Sequence, residues 1–343
     1  MEKYNYRFTT GPWNIHEGAD PFGPTVRPAL KLDTKLRLFK ELGIDAVQFH
    51  DDDAVPELDK LTPEQIRQQA RALRQQLEDN GLCAEFVAPR LWEHPLTVDG
   101  AFTANAEKTR LYAQDRAKKA VDIANELGTD LFVLWLAREG TYLREAKDAV
   151  RATHQIVDAV NDILSYGPGL RIVVEPKPNE PVDIAYLPTV GHALALGSYT
   201  QAPERVGVLI ESAHAILAGL DPADEMSFAL AFKKLWGVHL NDQNGLKYDQ
   251  DRSFGSVDLR RAFNQVRVLD SQKYWETGMI GLDIKALRTQ PAELATKHLR
   301  NSIQVFLRLV PLVRSLDQQA VDTLIAQRDY EELDWLVLNH LLA

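Results

Sequence analysis

Eight short apolar runs recur along this chain, each followed by a longer stretch with helical spacing, and that alternation limits the folds open to it. The runs cover residues 6–10, 45–50, 83–88, 131–135, 171–175, 206–211, 235–240 and 279–283. Apolar character without a break suits strands buried on both faces, as in a parallel sheet. The intervening helical segments are 34–43, 63–80, 105–128, 142–165, 213–234, 256–273 and 291–315, with a weaker one at 184–199 that carries Gly191 and Gly197. Within 105–128, Leu111, Ala117, Val121, Ala124 and Leu127 form an apolar stripe at helical spacing. Thr62-Pro63 reads as a helix start, and Asn80-Gly81 and Leu127-Gly128 as helix stops. Eight such units without a composition break predict an α/β fold of the (β/α)8 TIM-barrel type over residues 1–316, with a doubly wound sheet as the competing arrangement. Residues 317–343 leave the rhythm and read as a C-terminal helical tail that packs on the barrel or on a neighbouring subunit.

A chain of 343 residues with net charge −10 lacks the basic balance expected of a duplex-binding protein, so nucleic acid is a poor default partner and none is expected. No uncharged apolar segment is long enough for a membrane span, and the first residues lack the apolar stretch of a signal peptide, so a cytoplasmic enzyme is expected. The single cysteine, Cys83, rules out an internal disulfide and reads as a small buried hydrophobe.

In a barrel of this kind the strand C-termini carry the chemistry. The residues there are His50, Trp135, Glu175, Glu211, His239 and Asp283, and five of these six are metal-ligand or acid–base types. Glu175-Pro-Lys177-Pro presents a carboxylate and an ammonium from a turn stiffened by two prolines. Glu211-Ser-Ala-His214 places two ligands at a strand-to-helix junction, although an N-capping role for Glu211 is the rival reading. With Asp249 and Asp251 one strand later, Glu211 is placed to bridge to a second cation. His50 is a proton carrier near neutral pH that Asp53 can orient, while Asp51 and Asp52 read as a solvated face. Trp92 and Trp135 supply either an apolar wall or core.

Several fragments, in one order, carry a family likeness: Asp20-Pro-Phe-Gly23, Phe49-His-Asp-Asp-Asp53, Phe102-Thr-Ala-Asn105, Arg138-Glu-Gly140, Glu175-Pro-Lys-Pro-Asn-Glu-Pro181, Leu187-Pro-Thr-Val-Gly-His-Ala-Leu194 and Gln243-Asn-Gly-Leu-Lys-Tyr-Asp-Gln-Asp251. Together they resemble xylose isomerase of the actinobacterial type, also called glucose isomerase. The resemblance implies two divalent cations per subunit (Mn²⁺, Co²⁺ or Mg²⁺). Glu175, Glu211, Asp283 and the residue at 239 would hold the first, and Glu211, His214, Asp249 and Asp251 the second. It implies that His50, held by Asp53, assists sugar ring opening, and that Lys177 holds the carbonyl oxygen while hydrogen moves between carbons as a hydride. Trp92 and Trp135 would wall that path, and Phe22 would reach in from the neighbour of a homo-oligomer, dimer or tetramer.

The chain departs from the pattern at His239, where the family has Asp; an imidazole there suits Mn²⁺ or Co²⁺ better than Mg²⁺. Trp92 stands for Phe, Ala88-Pro-Arg90 for a Thr/Asn-bearing turn, Ala215 for Glu, and the tail is shorter than the family's arm. The expected function is a metal-dependent aldose–ketose isomerase acting on a monosaccharide. The alternatives are a sugar epimerase or keto-sugar isomerase of the same superfamily working by proton transfer, and a non-catalytic metal- or polyol-binding barrel.

Overall fold

The computed structural model describes residues 2–20 and 22–342; Met1, Pro21 and Ala343, and with Pro21 part of the Asp20–Gly23 motif, lie outside them. Eight parallel strands close into a barrel: β1 (Phe8–Thr10), β2 (Ala46–His50), β3 (Cys83–Ala88), β4 (Leu131–Trp135), β5 (Arg171–Glu175), β6 (Val206–Glu211), β7 (Leu235–Leu240) and β8 (Ile280–Leu282). Each strand pairs with the next in sequence, and β1 pairs with β8 to close the ring through Phe8↔Ile280 and Thr9↔Gly281. The doubly wound alternative is thereby excluded, since an open sheet leaves two edges and this one has none.

The outer ring holds α1 (Leu32–Leu42), α2 (Pro63–Asp79), α3 (Glu107–Leu127), α4 (Ala149–Tyr166), α5 (Val190–Ser198), α6 (Pro222–Ala231), α7 (Leu259–Ser271) and α8 (Lys297–Ser315). Local chemistry sets their ends. Thr62 caps α2 in a capping box with Gln65, with Pro63 at the first helical position. Gly128 ends α3 in the left-handed region, at φ 78°. The segment expected as one helix over 213–234 is two, Ser212–Leu217 and α6, because Gly219 turns the chain at φ +75° and Asp221 caps a new start before Pro222. The segment expected from 142 starts at Ala149, where Asp148 accepts from the Val150 and Arg151 N–H groups.

The apolar residues Leu111 and Cys83 are not buried as expected. Leu111 is exposed; the buried face of α3 is Ala113, Ala117, Ala120, Val121, Ala124 and Leu127, so the stripe lies a few residues round from Leu111. Cys83 is exposed as well, because it opens β3 at the end of the barrel opposite the strand C-termini, where its strand is not yet covered.

Beyond the barrel, α9 (Gln318–Gln327) and α10 (Tyr330–Leu342) lie against the outer helices, with Val321 and Val337 buried in the same apolar cluster. His340 Nε2 lies 2.7 Å from the Leu312 carbonyl oxygen of α8, and Arg260 of α7 pairs with Asp334. Among the described residues no helix is long and apolar enough to cross a membrane.

Asp51 and Asp52, read as solvated, tie β2 to α3 instead. Asp51 is fully buried and accepts from Arg116 Nε (2.8 Å) and Nη2 (2.9 Å) and from the Arg90 N–H (3.0 Å). Asp51→Ala leaves the buried Arg116 guanidinium without its main partner and is expected to cost about 3–5 kcal/mol in chemical denaturation, with Asp52→Ala costing clearly less. Equal losses for the two variants would contradict this division of labour.

Candidate metal centre

The pleat of a strand sends alternate side chains into the barrel, and parallel register then sets their height. Glu211 of β6 lies opposite His239 of β7, and His239 opposite Gly281 of β8, so Glu211 and His239 share one level at the mouth. Glu175 ends β5, and Asp283 follows β8 directly. His239 Nδ1 is 3.3 Å from Glu175 Oε1, 3.7 Å from Glu211 Oε2 and 3.9 Å from Asp283 Oδ2. His214, on the first turn after β6, brings Nε2 to 3.4 Å from Glu211 Oε1 and 3.1 Å from Asp249 Oδ2. Three sets of donors each lie within 4.8 Å of one another: Glu175, Glu211 and His214; Glu211, His239 and Asp283; Glu211, Asp249 and Asp251. Glu211 belongs to all three.

Asp249 and Asp251 stand on a loop that its own side chains fold. Asp242 and Arg252 exchange backbone hydrogen bonds of 2.9 and 3.0 Å, closing the loop at its base. Within it, Gln243 Oε1 accepts from the Gln250 N–H (3.0 Å) while Nε2 donates to the Gly245 and Tyr248 carbonyls. Asp251 adopts φ 47°, in the left-handed region, and is buried. Two further residues, which the sequence reading missed, complete the support. Asn241 Nδ2 donates to Glu211 Oε1 (2.8 Å) and to the Asp283 carbonyl (3.0 Å), and Lys285 Nζ sits 2.5 Å from Asp251 Oδ2. Asn241 follows β7 by one residue and Lys285 follows Asp283 by two, so strand-end position was the signal that marked them.

Charge at this mouth is unevenly shared. Burial alone would raise the Glu175 carboxyl, but the adjacent His239 and His214 hold it down at about 2. Burial acts the same way on Asp249, and Lys177 and His214 hold it well below the ordinary range. Burial and the neighbouring Asp249 push Glu211 well up, and the same two causes push Asp251 up to about 7. Burial disfavours a charged His239, yet Glu175 and Glu211 raise it well above an ordinary imidazole. Carboxylates this crowded ionise together only when further positive charge is shared among them. A divalent cation would supply that charge. The donors are the right kind, carboxylate oxygens and imidazole nitrogens, and His214 Nδ1 and Asp249 Oδ1 are buried without a hydrogen-bond partner.

Around these donors the mouth also carries His50, Asp53, Trp13, Trp92, Trp135 and Lys177. His50 Nδ1 lies 2.9 Å from Asp53 Oδ2, which His50 and Arg90 hold low against the effect of burial. Arg90 Nη2, from the turn after β3, lies 2.8 Å from the same His50 nitrogen and 3.0 Å from Asp53. Arg90 and Trp13 were also missed as wall residues; Trp13 lies against His50 (centroids 4.2 Å) and donates from Nε1 to Asp283 (3.0 Å). Trp92 and Trp135 meet edge to face at 4.4 Å, and Trp135 stacks parallel to His214 at 6.5 Å. Lys177 is buried, with Nζ 2.9 Å from Asp249 and 5.3 Å from the Trp135 ring centre. Phe22 stands apart: it is 84% exposed at the rim, 6.4 Å from the Tyr248 ring.

The xylose isomerase-like TIM barrel family matches residues 36–303 of the chain. A xylose isomerase of Thermus thermophilus is 36% identical over 313 residues, which cover 90% of this chain and 80% of that protein. Among solved structures, a D-tagatose 3-epimerase-like protein superposes with a TM-score of 0.65 at 14% identity, covering 90% of this chain and 98% of its own. A xylose isomerase domain protein of Alicyclobacillus acidocaldarius gives 0.62 at 16% identity, covering 90% and 99%. These two likenesses concern the fold.

The carboxyl shifts carry a pH signature. Asp251 keeps its proton up to about 7 in the folded chain, against 3.8 ordinarily. The folded state therefore holds the extra proton between those values, and this group's contribution to stability falls as pH rises through that window. A bound cation displaces the proton. The gain in thermal midpoint on adding Mn²⁺ is thus expected to be small near pH 5 and large near pH 8. A gain independent of pH, measured by scanning calorimetry, would contradict the assignment.

Proposed function

The chain belongs to the xylose isomerase-like TIM barrel family, and we propose that it is a divalent-metal-dependent aldose–ketose isomerase that interconverts a pentose or hexose aldose with its ketose by ring opening and a 1,2-hydride shift. The observation that supports this reading is one mouth holding both a cluster of metal donors joined through Glu211, with Lys177 on Asp249, and a separate pair, His50 and Asp53, suited to carrying a proton. A protein that merely stored a cation or bound a polyol has no use for the second set.

In this reading Glu175, Glu211, His239 and Asp283 hold one cation, and Glu211, His214, Asp249 and Asp251 the other. When bound, the two cations supply Lewis-acid polarisation of the sugar oxygens and a water of lowered pKa. His50, its Nδ1 turned to Asp53, keeps Nε2 for the proton of the sugar's ring-opening step. Lys177 holds the carbonyl oxygen as charge gathers there; its ammonium is stabilised in the charged form, because Asp249 and Glu180 outweigh the effect of burial. Trp92 and Trp135 keep water from the reacting carbons, which favours direct transfer of hydrogen over exchange with solvent. His239 favours Mn²⁺ or Co²⁺ over Mg²⁺. Phe22, exposed at the rim, completes the mouth of a neighbouring subunit in a homo-oligomer.

Metal-loaded protein incubated with a panel of aldoses and ketoses in D₂O, with products read by NMR, tests the proposal. The expected result is aldose–ketose conversion without deuterium at the sugar carbons; deuterium incorporation would assign a proton-transfer isomerase or epimerase instead. Activity is expected to be higher with Mn²⁺ or Co²⁺ than with Mg²⁺. Lys177→Met is expected to lower kcat about 10²–10³-fold, the scale of one lost transition-state donor, while Mn²⁺ binding persists.

A further inference from the structure

The barrel interior beneath the mouth is divided in two. From β3 to β6 it is filled by Phe86, Leu131, Val133, Val173 and Leu209, the bulky apolar filling usual for such a barrel. From β7 round to β3 it carries His239, Thr9, Gln48 and Glu85, all buried. A carboxylate in that position is costly unless it is held, and Gln48 Nε2 donates to Glu85 Oε2 at 3.0 Å. That bond orients the amide, and Gln48 Oε1 is left as a buried acceptor without a partner. His239 Nε2, on the face of the ring turned away from Glu175, Glu211 and Asp283, is also buried without a partner.

These two atoms belong to neighbouring groups. A Cβ added at Gly281 would fall 2.7 Å from the Gln48 amide nitrogen and 3.1 Å from His239 Cδ2, so both side chains flank the space that this glycine leaves open. The Phe86 ring, with its centroid 5.9 Å from that of His239, lies against the imidazole. The chemistry of an imidazole ligand supplies the remaining step. If Nδ1 offers its lone pair to a cation, the ring proton is on Nε2 and needs an acceptor.

The two atoms are not bonded to each other in this structure. We propose that Gln48, held by Glu85, is a positioning residue for His239: once Nδ1 takes a cation, Gln48 Oε1 turns to accept the Nε2–H, which fixes the tautomer with Nδ1 toward the carboxylates. The inference rests on the reading of His239 as a metal ligand. It assigns a task to two buried polar side chains that the reaction itself does not use.

The test is Mn²⁺ titration calorimetry on the full chain, for wild type and Q48L, each also in an H239D background, where a carboxylate ligand needs no N–H acceptor. Q48L is expected to weaken one of the two Mn²⁺ sites about 10–100-fold and to leave the other within about twofold, the scale found for partners of metal-bound histidines. In the H239D background Q48L is expected to change neither site by more than about twofold. The visible spectrum of the Co²⁺ form is expected to shift on Q48L with His239 present and to stay fixed with Asp there. No loss in the His239 background, or an equal loss in both, would overturn the positioning role. Wild type that takes up fewer than two Mn²⁺ would overturn the two-cation reading, and this inference with it.

Discussion

Negative charge gathered in a buried mouth is the constraint on which this structure depends. Glu175, Glu211, Asp249 and Asp251 approach one another at the end of a closed barrel, away from bulk water. Every nearby cationic or donor group answers to them. His214 and His239 each lie within 4 Å of both Glu175 and Glu211, Lys177 lies on Asp249, and Lys285 lies on Asp251. Glu211 and Asp251 still sit above the ordinary carboxylate range, so protein charge alone does not balance the cluster. A site built this way has an appetite for cations that grows as its protons leave.

Holding that charge in place is the work of the parts nearest to it. Asn241 donates both to Glu211 and to the carbonyl beside Asp283, tying β6, β7 and β8 together at the mouth. The loop that carries Asp249 and Asp251 is closed by its own backbone pair and filled by Gln243. Across the mouth, the buried Asp51–Arg116 pair anchors the turn from which His50 and Asp53 project. Arg90 then stands beside both of these, so a guanidinium is part of the environment of the His50–Asp53 pair.

Much of this was legible along the chain, because strand buried on two faces and helix buried on one leave different periods in the sequence. Runs such as 171–175 and 206–211 mark their strands within a residue, and Thr62-Pro63 and Gly128 mark helix ends through chemistry that is purely local. The errors fall where burial depends on something distant. Leu111 fits a helical stripe as well as Ala113 does, and the packing of α3 on its neighbours decides which is covered. Cys83 is apolar in sequence yet lies at an open barrel end. Arg90, Trp13 and Lys285 are ordinary residues until folding sets each against a partner at least 34 residues away in the chain, as with Lys285 and Asp251.

The sequence alone therefore determined the eight strands, the helices that alternate with them and the identity of the charged residues at the strand ends, because hydrophobic period and terminal position are written locally. Tertiary structure alone decided which of those residues share an oxygen's distance. It made Glu211 the common member of three donor sets, and it set Gln48 and His239 on either side of the space that Gly281 leaves open. The reason is geometric: strand register and closure of the ring set heights and neighbours across the barrel, and no local pattern encodes a distance between chain segments that meet only when the ring closes.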